Sequence, residues 1–125
     1  MIERRKYVRI LESGPVGITR EGKPQGYGEL LDLSVRGIRM TTLLALKRGE
    51  KVRMSFRLGE GIEMKLAAVI RHSYRWKAES KIYGLEFFIR DFSDLREHVK
   101  LNRFILEERG RQDKLLRDRF HKEKK

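Results

Sequence analysis

Residues 51–58 read KVRMSFRL, and the strict alternation of this stretch decides the fold class. Its even-numbered positions are apolar, from Val52 to Leu58, whereas its odd-numbered positions are charged or polar. Successive side chains of a β-strand point to opposite faces of a sheet. The stretch therefore predicts a strand with one face on a core and the other in water.

Similar β-rich segments lie on both sides of this strand. They are separated by glycine-containing and charged turns, and they cover residues 16–20, 27–34, 37–42, 63–76 and 81–89. RLGEGIE (57–63) and WKAESK (76–81) are typical of hairpin connections, which would pair the fourth strand with the fifth and the fifth with the sixth. Six closely spaced strands predict a mainly β fold, a small antiparallel barrel or sandwich.

A helix is predicted after residue 92, with Ser93 as its N-cap and acidic residues in its first turn. At 100° per residue, six apolar side chains share one face, which we expect to cover an open end of the barrel. These are Leu95, Val99, Ile105, Leu106, Leu116 and Phe120. Phe104 and Leu115 lie off that face and are the predicted surface for a partner or a dimer. Gly110 leaves open one bent helix or two.

The composition limits the classes of function. The chain has 125 residues, a formal net charge of +12 and no cysteine. One domain with a strong attraction for anions is therefore expected, without disulfides or thiolate chemistry, in a reducing cytoplasm. The longest apolar run, LAAVI at 66–70, is too short to span a bilayer, and no export signal is evident.

The basic stretch ERRKYVRI occupies residues 3–10. We assign residues 1–14 to a flexible basic arm, residues 15–92 to the barrel and residues 93–125 to the helix and a basic tail. Arg5 and Arg9 are four residues apart, and their like charges oppose a helix, so the arm is expected to order only when an anion binds. Arginine binds phosphate bidentately and also pairs with the N7 and O6 edge of guanine.

A second motif, DLSVRG at residues 32–37, is expected between the second and third strands. Asp32 is able to accept hydrogen bonds from N1 and N2 of guanine. Ser34 is able to donate a hydrogen bond to phosphate or to hold the loop, and Gly37 is able to adopt a backbone geometry closed to other residues. The alternative is ordinary turn chemistry, with Asp32 and Ser34 bonded to nearby backbone and Gly37 in the left-handed region.

Together these motifs resemble the PilZ domain family of bacterial cyclic di-GMP receptors. RKYVR at residues 5–9 is similar to the family's RxxxR motif, and DLSVRG is similar to its (D/N)xSxxG motif. YGLEFF at residues 83–88 and the following helix also resemble the end of that domain. The resemblance implies a six-stranded antiparallel β-barrel with a C-terminal helix and the arm folded over one end.

The resemblance also implies which residues bind the ligand. They are Arg4, Arg5, Arg9, Asp32, Ser34 and Gly37. In the family the two motif arginines contact guanine and phosphate, and the second motif shapes and lines the same site. Arg4, directly before RxxxR, offers a surface for a second guanine, so we expect an intercalated ligand dimer, with a one-to-one complex as the alternative.

Other polar residues carry weaker signals. Arg36, Arg39 and Arg71 are expected to be exposed strand or loop residues. The histidines are scattered without metal-ligand spacing, and motifs for nucleophilic or phosphate-transfer catalysis are not found. We therefore expect neither an enzyme nor a resident metal or cofactor.

The sequence predicts a receptor for cyclic di-GMP whose arm becomes ordered when the ligand binds. The receptor is expected to signal to an unidentified protein partner, through the C-terminal helix. The partner would belong to motility, exopolysaccharide synthesis or gene regulation. The main alternative is a basic nucleic-acid-binding β-barrel. Charge concentrated in the arm and helix, rather than beside stacked aromatic rings, disfavours nucleic acid as the partner. A barrel without ligand binding and a small enzyme are the remaining alternatives.

Overall fold

The computed structural model describes residues 10–77 and 79–123 as a closed six-stranded antiparallel barrel followed by one helix. The elements in chain order are β1 (Ile10–Arg20), β2 (Lys23–Leu33), β3 (Gly37–Thr42), β4 (Lys51–Leu58), β5 (Ile62–Lys77), β6 (Ser80–Phe88) and α1 (Phe92–Glu123). The predicted fold class is confirmed.

The strands close in the order β1-β2-β3-β6-β5-β4. β4 pairs with β5 and β5 with β6, as the two predicted hairpins require. Two longer-range pairings then complete the barrel, β3 with β6 and β1 with β4. Closure leaves no open sheet edge, which removes the usual site of strand-to-strand aggregation.

The barrel begins earlier than the sequence predicts. β1 starts at Ile10, five residues before the expected boundary at residue 15, and Ile10 pairs with Leu33. The glycine of ESGP does not end the strand, because a register shift between Leu11 and Gly14 absorbs it and Gly14 has a φ of 142°. Residues 10–14 thus belong to the barrel, and residues 1–9 lie outside the described part of the chain.

Alternating side chains fill the barrel interior. Every even position of β4 is buried, with Met54 and Leu58 fully enclosed, and every odd position is exposed, as predicted. Tyr83 is fully buried too, and its hydroxyl donates to the carbonyl of Leu44 and accepts from the amide of Leu46, both at 3.0 Å. These bonds satisfy the buried phenol and hold the connection between β3 and β4.

The helix is one continuous element through Gly110, and its cap differs from the predicted one. Asp91, not Ser93, caps α1, since its carboxylate accepts the amide of Asp94 at 3.0 Å and its carbonyl starts the helical bonding. Asp94 is completely buried and accepts the Arg90 amide at 2.9 Å and the Arg90 guanidinium at 2.8 Å. The Arg90 hydrogen bonds lower the pKa of Asp94.

The predicted packing face of the helix is wrong for most of its described members, although Ile105 is buried as predicted and the side chain of Phe120 lies outside the described residues. Leu106, placed on that face, is 67% exposed, whereas Phe104, assigned to a partner surface, is 8% exposed and packs in the core. The side toward the barrel repeats every three or four residues and mixes polar with apolar side chains. Its buried or half-buried members are Asp94, Glu97, His98, Leu101, Phe104, Ile105 and Glu108. An apolar-only criterion misses such a face.

Within the described residues, no helix combines the length and the apolar character needed to span a membrane.

Candidate ligand-binding site

Ser34 organises the loop between β2 and β3. Its side chain is 5% exposed, and its hydroxyl oxygen accepts the backbone amides of Arg36 at 3.2 Å and Gly37 at 3.1 Å. Its own amide donates to the carbonyl of Gly37 at 2.9 Å. This is the turn chemistry expected of a serine hydroxyl, so Ser34 holds the loop through its side chain.

Gly37 is required by a close approach of two strands. It pairs with Glu86 of β6, and a Cβ at this position would lie 2.2 Å from the carbonyl oxygen of Leu85. Gly37 does not have a positive φ, so the alternative that places it in the left-handed region is wrong. The glycine of the motif lets β6 pack against the start of β3.

Asp32 and Arg39 form a partly buried ion pair on the outside of the barrel. Asp32 is 2% exposed, and Arg39 Nε donates to its Oδ2 at 2.5 Å, while a second guanidinium nitrogen contacts the same oxygen. The hydrogen bond that Arg39 donates to Asp32 is the main reason that the pKa of Arg39 is raised. Arg39 Nη1 also donates to the Tyr74 hydroxyl at 3.2 Å. The expectation that Arg39 is simply an exposed residue is therefore wrong.

Glu86 links two further arginines beside this loop. Its carboxylate lies 3.7 Å from Arg36 and 3.5 Å from Arg71, and both guanidinium groups are about half exposed. The exposure predicted for these two arginines is confirmed. Pairs at such exposure contribute little to stability.

A cleft of about 340 Å³ separates the loop from α1. Val35 and Arg36 line it on the loop side, and His98 and Asn102 line it on the helix side. The two ring systems of Phe87 and His98 meet edge to face at 5.7 Å. The Phe87 amide donates to the carbonyl of Arg36 at 2.8 Å, so Phe87 contacts both the loop and His98 of the helix.

Gly84 opens the outer surface between β3 and β5. It pairs with Arg39 on one side and His72 on the other, and a Cβ here would lie 2.1 Å from His72 Nε2. The missing side chain leaves room for the His72 ring, and it lets Arg39 reach across β6 to Tyr74. The glycine of YGLEFF thus shapes the same surface as the loop.

The structure brings together three of the six predicted site residues, Asp32, Ser34 and Gly37. Arg4, Arg5 and Arg9 lie outside the described residues. Sequence reasoning missed the arginine that binds Asp32, although a signal was present. Arg39 follows Gly37 by two positions and so shares its outward face of β3.

No group of three or more histidine, aspartate or glutamate side chains in the described part of the chain is arranged to hold a metal ion.

A family model for the PilZ domain matches residues 3–107. The chain belongs to the PilZ domain family. The match includes the arm motif, the loop motif and the first half of α1. A search of curated proteins finds no match.

Several solved structures of PilZ proteins resemble this chain. Bacillus subtilis MotI/DgrA, an inhibitor of motility, is 26% identical with a TM-score of 0.62, over 85% of this chain and 53% of that one. Escherichia coli YcgR in complex with c-di-GMP is 19% identical with a TM-score of 0.65, over 93% and 51%. K. pneumonia MrkH in complex with c-di-GMP is 17% identical with a TM-score of 0.63, over 89% and 56%. This PilZ chain spans about half the length of each.

Proposed function

We propose that this PilZ domain is a receptor for cyclic di-GMP that acts by binding rather than by catalysis. Its ligand site would combine Arg4, Arg5 and Arg9 with the loop residues Asp32, Ser34 and Gly37. Membership of the family and the c-di-GMP complexes of YcgR and MrkH support the ligand. The observation that carries the proposal is the pairing of Ile10 with Leu33, which ends the arm beside the second motif.

Covalent geometry supports this convergence of two motifs distant in sequence. Arg9 is bonded to Ile10, whose strand partner is the residue before Ser34. An extended chain spans at most about 3.6 Å per residue, so Arg5 lies within about 18 Å of Ile10. Both motif arginines are therefore within reach of a ligand on the loop.

Asp32 would bind the ligand by exchanging partners. Its carboxylate is held by Arg39, so a guanine that donates its N1 and N2 hydrogens to Asp32 competes with that pair. The guanidinium released from Asp32 would then be free to bind a phosphate. The exchange keeps every buried charge partnered, which limits its cost.

Signalling would follow from ordering of the arm and a shift of the loop. The two phosphodiester groups of the bound ligand neutralise the arginines that repel one another, and the arm can then cover the end of the barrel. The cleft between Arg36 and the helix residues His98 and Asn102 offers a route to α1. We propose that a protein partner in motility, exopolysaccharide synthesis or gene regulation recognises this rearranged surface.

Isothermal titration calorimetry with cyclic di-GMP tests the function. We expect micromolar or tighter binding, about −8 kcal/mol, and a loss of roughly 1.5–3 kcal/mol in Arg9→Ala or Asp32→Ala. Arg117→Ala removes one positive charge, as Arg9→Ala does, but from an exposed position of the helix, and this variant should bind cyclic di-GMP like the parent protein. Absence of binding heat in the parent, or an equal loss in the Arg117 variant, would contradict the proposal.

Hydrogen exchange separates the signalling step from binding. We expect amide protection of residues 1–9 to increase with the nucleotide, together with protection of the loop at Ser34–Gly37. Binding without any change in the arm would reject ordering while leaving the receptor function intact.

A further inference from the structure

An exposed row of side chains crosses four strands on the outer surface of the barrel. Tyr27 of β2 pairs with Gly17 of β1, Gly17 pairs with Ser55 of β4, and Ser55 pairs with Lys65 of β5. Strands lie about 4.8 Å apart, so Tyr27 and Lys65 are separated by about 14 Å. We call this row, together with Lys51 and Arg53 of β4, the β1–β4 face.

At the centre of the β1–β4 face, the Tyr27 ring and the Ser55 hydroxyl flank Gly17. A Cβ on Gly17 would lie 2.7 Å from the Ser55 hydroxyl and 3.8 Å from the Tyr27 ring, so these two side chains occupy the space that the glycine leaves. Tyr27 is nevertheless 76% exposed. An aromatic face this accessible is open to stacking by a planar partner.

Cations lie on β4 and β5, on the other side of Gly17 from Tyr27. Lys51, Arg53 and Lys65 are exposed, and within the described residues none of them forms an ion pair. Lys51 Nζ lies 5.5 Å from the centroid of the Phe88 ring, a contact that leaves its positive charge in place. The two β4 cations are two positions apart, a spacing of about 6.7 Å along the strand. This part of the surface therefore presents positive charge that no carboxylate neutralises directly.

Neighbouring charges leave that balance positive. Arg57, also exposed on β4, is paired with Glu63 at 3.1 Å. Asp94 is within electrostatic range of Arg53, but its carboxylate is held by Arg90. Glu29 is exposed two positions from Tyr27 along β2 and pairs with Pro15, on the opposite side of Gly17 from Thr19, which pairs with Arg53.

We propose that the β1–β4 face binds single-stranded nucleic acid. A base stacks on Tyr27, and the phosphates of the same oligonucleotide run across the face to Lys65, Arg53 and Lys51. Unpaired bases that stack on exposed rings beside cationic side chains are the usual basis of sequence-tolerant single-strand binding. A duplex hides its base faces and gains nothing from the tyrosine, and the carboxylates of an acidic polypeptide would use only the cations.

This surface is distinct from the candidate cyclic di-GMP site, although the two share β2. Tyr27 lies five residues from Asp32 along that strand, about 16 Å. The cations of the face lie on β4 and β5, whereas Arg39 and Glu86 lie on β3 and β6. Neither inference depends on the other, and the two ligands can be tested independently.

Fluorescence anisotropy with a labelled 12-nucleotide oligo(dT) or oligo(U) tests the cations. The variant carries three changes on the face, Lys51→Gln, Arg53→Gln and Lys65→Gln. A helix control with the same charge loss carries Arg109→Gln, Lys114→Gln and Arg117→Gln. Each lost phosphate contact lowers the slope of log affinity against log salt by about 0.7, so we expect a drop of about 2 for the face variant and a much smaller change for the control.

An arm control addresses the remaining basic region. The triple variant Arg4→Gln, Arg5→Gln and Arg9→Gln removes the same charge from the cyclic di-GMP site. We expect its salt slope for oligonucleotides to match that of the helix control. If either control weakens binding as much as the face variant, net charge explains the effect and the proposal is overturned.

Substitution of Tyr27 distinguishes stacking from simple charge attraction. Tyr27→Phe should retain oligonucleotide affinity, and Tyr27→Ala should lose about 5- to 150-fold, the range for one stacked base. A 20-base-pair duplex should bind both variants equally. Unchanged affinity of Tyr27→Ala for the single strand would overturn the proposal, as would competition by polyglutamate equal to that by oligo(U). Asp32→Ala should keep full oligonucleotide affinity, which separates this outcome from failure of the cyclic di-GMP receptor.

Discussion

At the scale of single residues, two glycines and one serine shape the candidate site, and each acts through a different contact. Ser34 ties the loop by accepting two amides, Gly37 admits the backbone of β6, and Gly84 makes space for an imidazole. What a new methyl group meets at each glycine decides how costly a substitution is. Backbone cannot give way, whereas the end of an exposed side chain can rotate.

Gly37→Ala and Gly84→Ala are therefore expected to differ. The Gly37 methyl meets the Leu85 carbonyl, so we expect the free energy of unfolding to fall by about 3 kcal/mol. The Gly84 methyl meets the exposed ring of His72, and we expect a loss below about 1 kcal/mol that disappears in a His72→Ala background. Urea unfolding of the four variants measures this, and equal losses at both glycines would contradict it.

At the scale of elements, α1 closes the barrel with a short part of its length. Phe104 packs near the turn between β4 and β5, where a Cβ on Gly59 would lie 3.2 Å from its ring. Lys100 donates to the carbonyl of Glu63 at 3.0 Å, at the start of β5. From residue 109 to residue 117 the helix is mainly exposed, including Leu115 and Leu116.

Truncation of Phe104 should therefore weaken the fold more than truncation of a leucine two positions away. We expect Phe104→Ala to lower the free energy of unfolding by about 3–5 kcal/mol, because it leaves a cavity between helix and barrel. Leu106→Ala, at a 67% exposed position, should change it by no more than about 0.5 kcal/mol. If thermal or urea unfolding gave comparable losses of stability for Phe104→Ala and Leu106→Ala, the packing of Phe104 rather than Leu106 against the barrel would be contradicted.

At the scale of the whole molecule, the interface between barrel and helix carries a pH-dependent group. His98 of α1 is half-buried against Phe87, and its Nε2 has no hydrogen-bond partner in the described residues. Burial lowers the pKa of His98 from its usual 6.5, and the charge of Asp94 opposes this only partly. The neutral ring is thus the form that the folded protein prefers.

Stability should consequently fall on mild acidification. Below pH 6.5 the unfolded chain binds the His98 proton before the folded protein does, so the free energy of unfolding decreases until the lower folded pKa is reached. The pKa of Asp94 is lowered from 3.8 in the folded protein, so its contribution to the free energy of unfolding is lost only as the pH falls below about 3.8. Urea unfolding between pH 7.5 and 4.5 should show a flatter curve for His98→Gln, and parallel curves would contradict the assignment.

The sequence by itself determined a mainly β fold, the strand pairs joined by hairpins and the family, because these depend on local alternation, turns and motif spacing. The choice of a barrel over a sandwich came from the resemblance to the family, since closure depends on the long-range pairings of β3 with β6 and of β1 with β4. The alternating burial of β4 and the bounds of β3 and β4 agree with the predictions from their amino-acid sequence. The start of β1 did not follow, since a glycine signals a break unless a neighbouring strand accommodates it as a bulge.

Only the tertiary structure decided which partners the site residues have. The pairing of Asp32 with Arg39, the reach of Arg39 to Tyr74 and the barrel-facing side of α1 depend on contacts between segments far apart in the chain. From sequence alone, a charged residue is predicted to be exposed, because its counter-ion lies on another segment. A helix is predicted to pack through its apolar side, because the residues opposite it are not known. Packing between distant segments decides the counter-ion and the packed side, and the local sequence does not specify that packing.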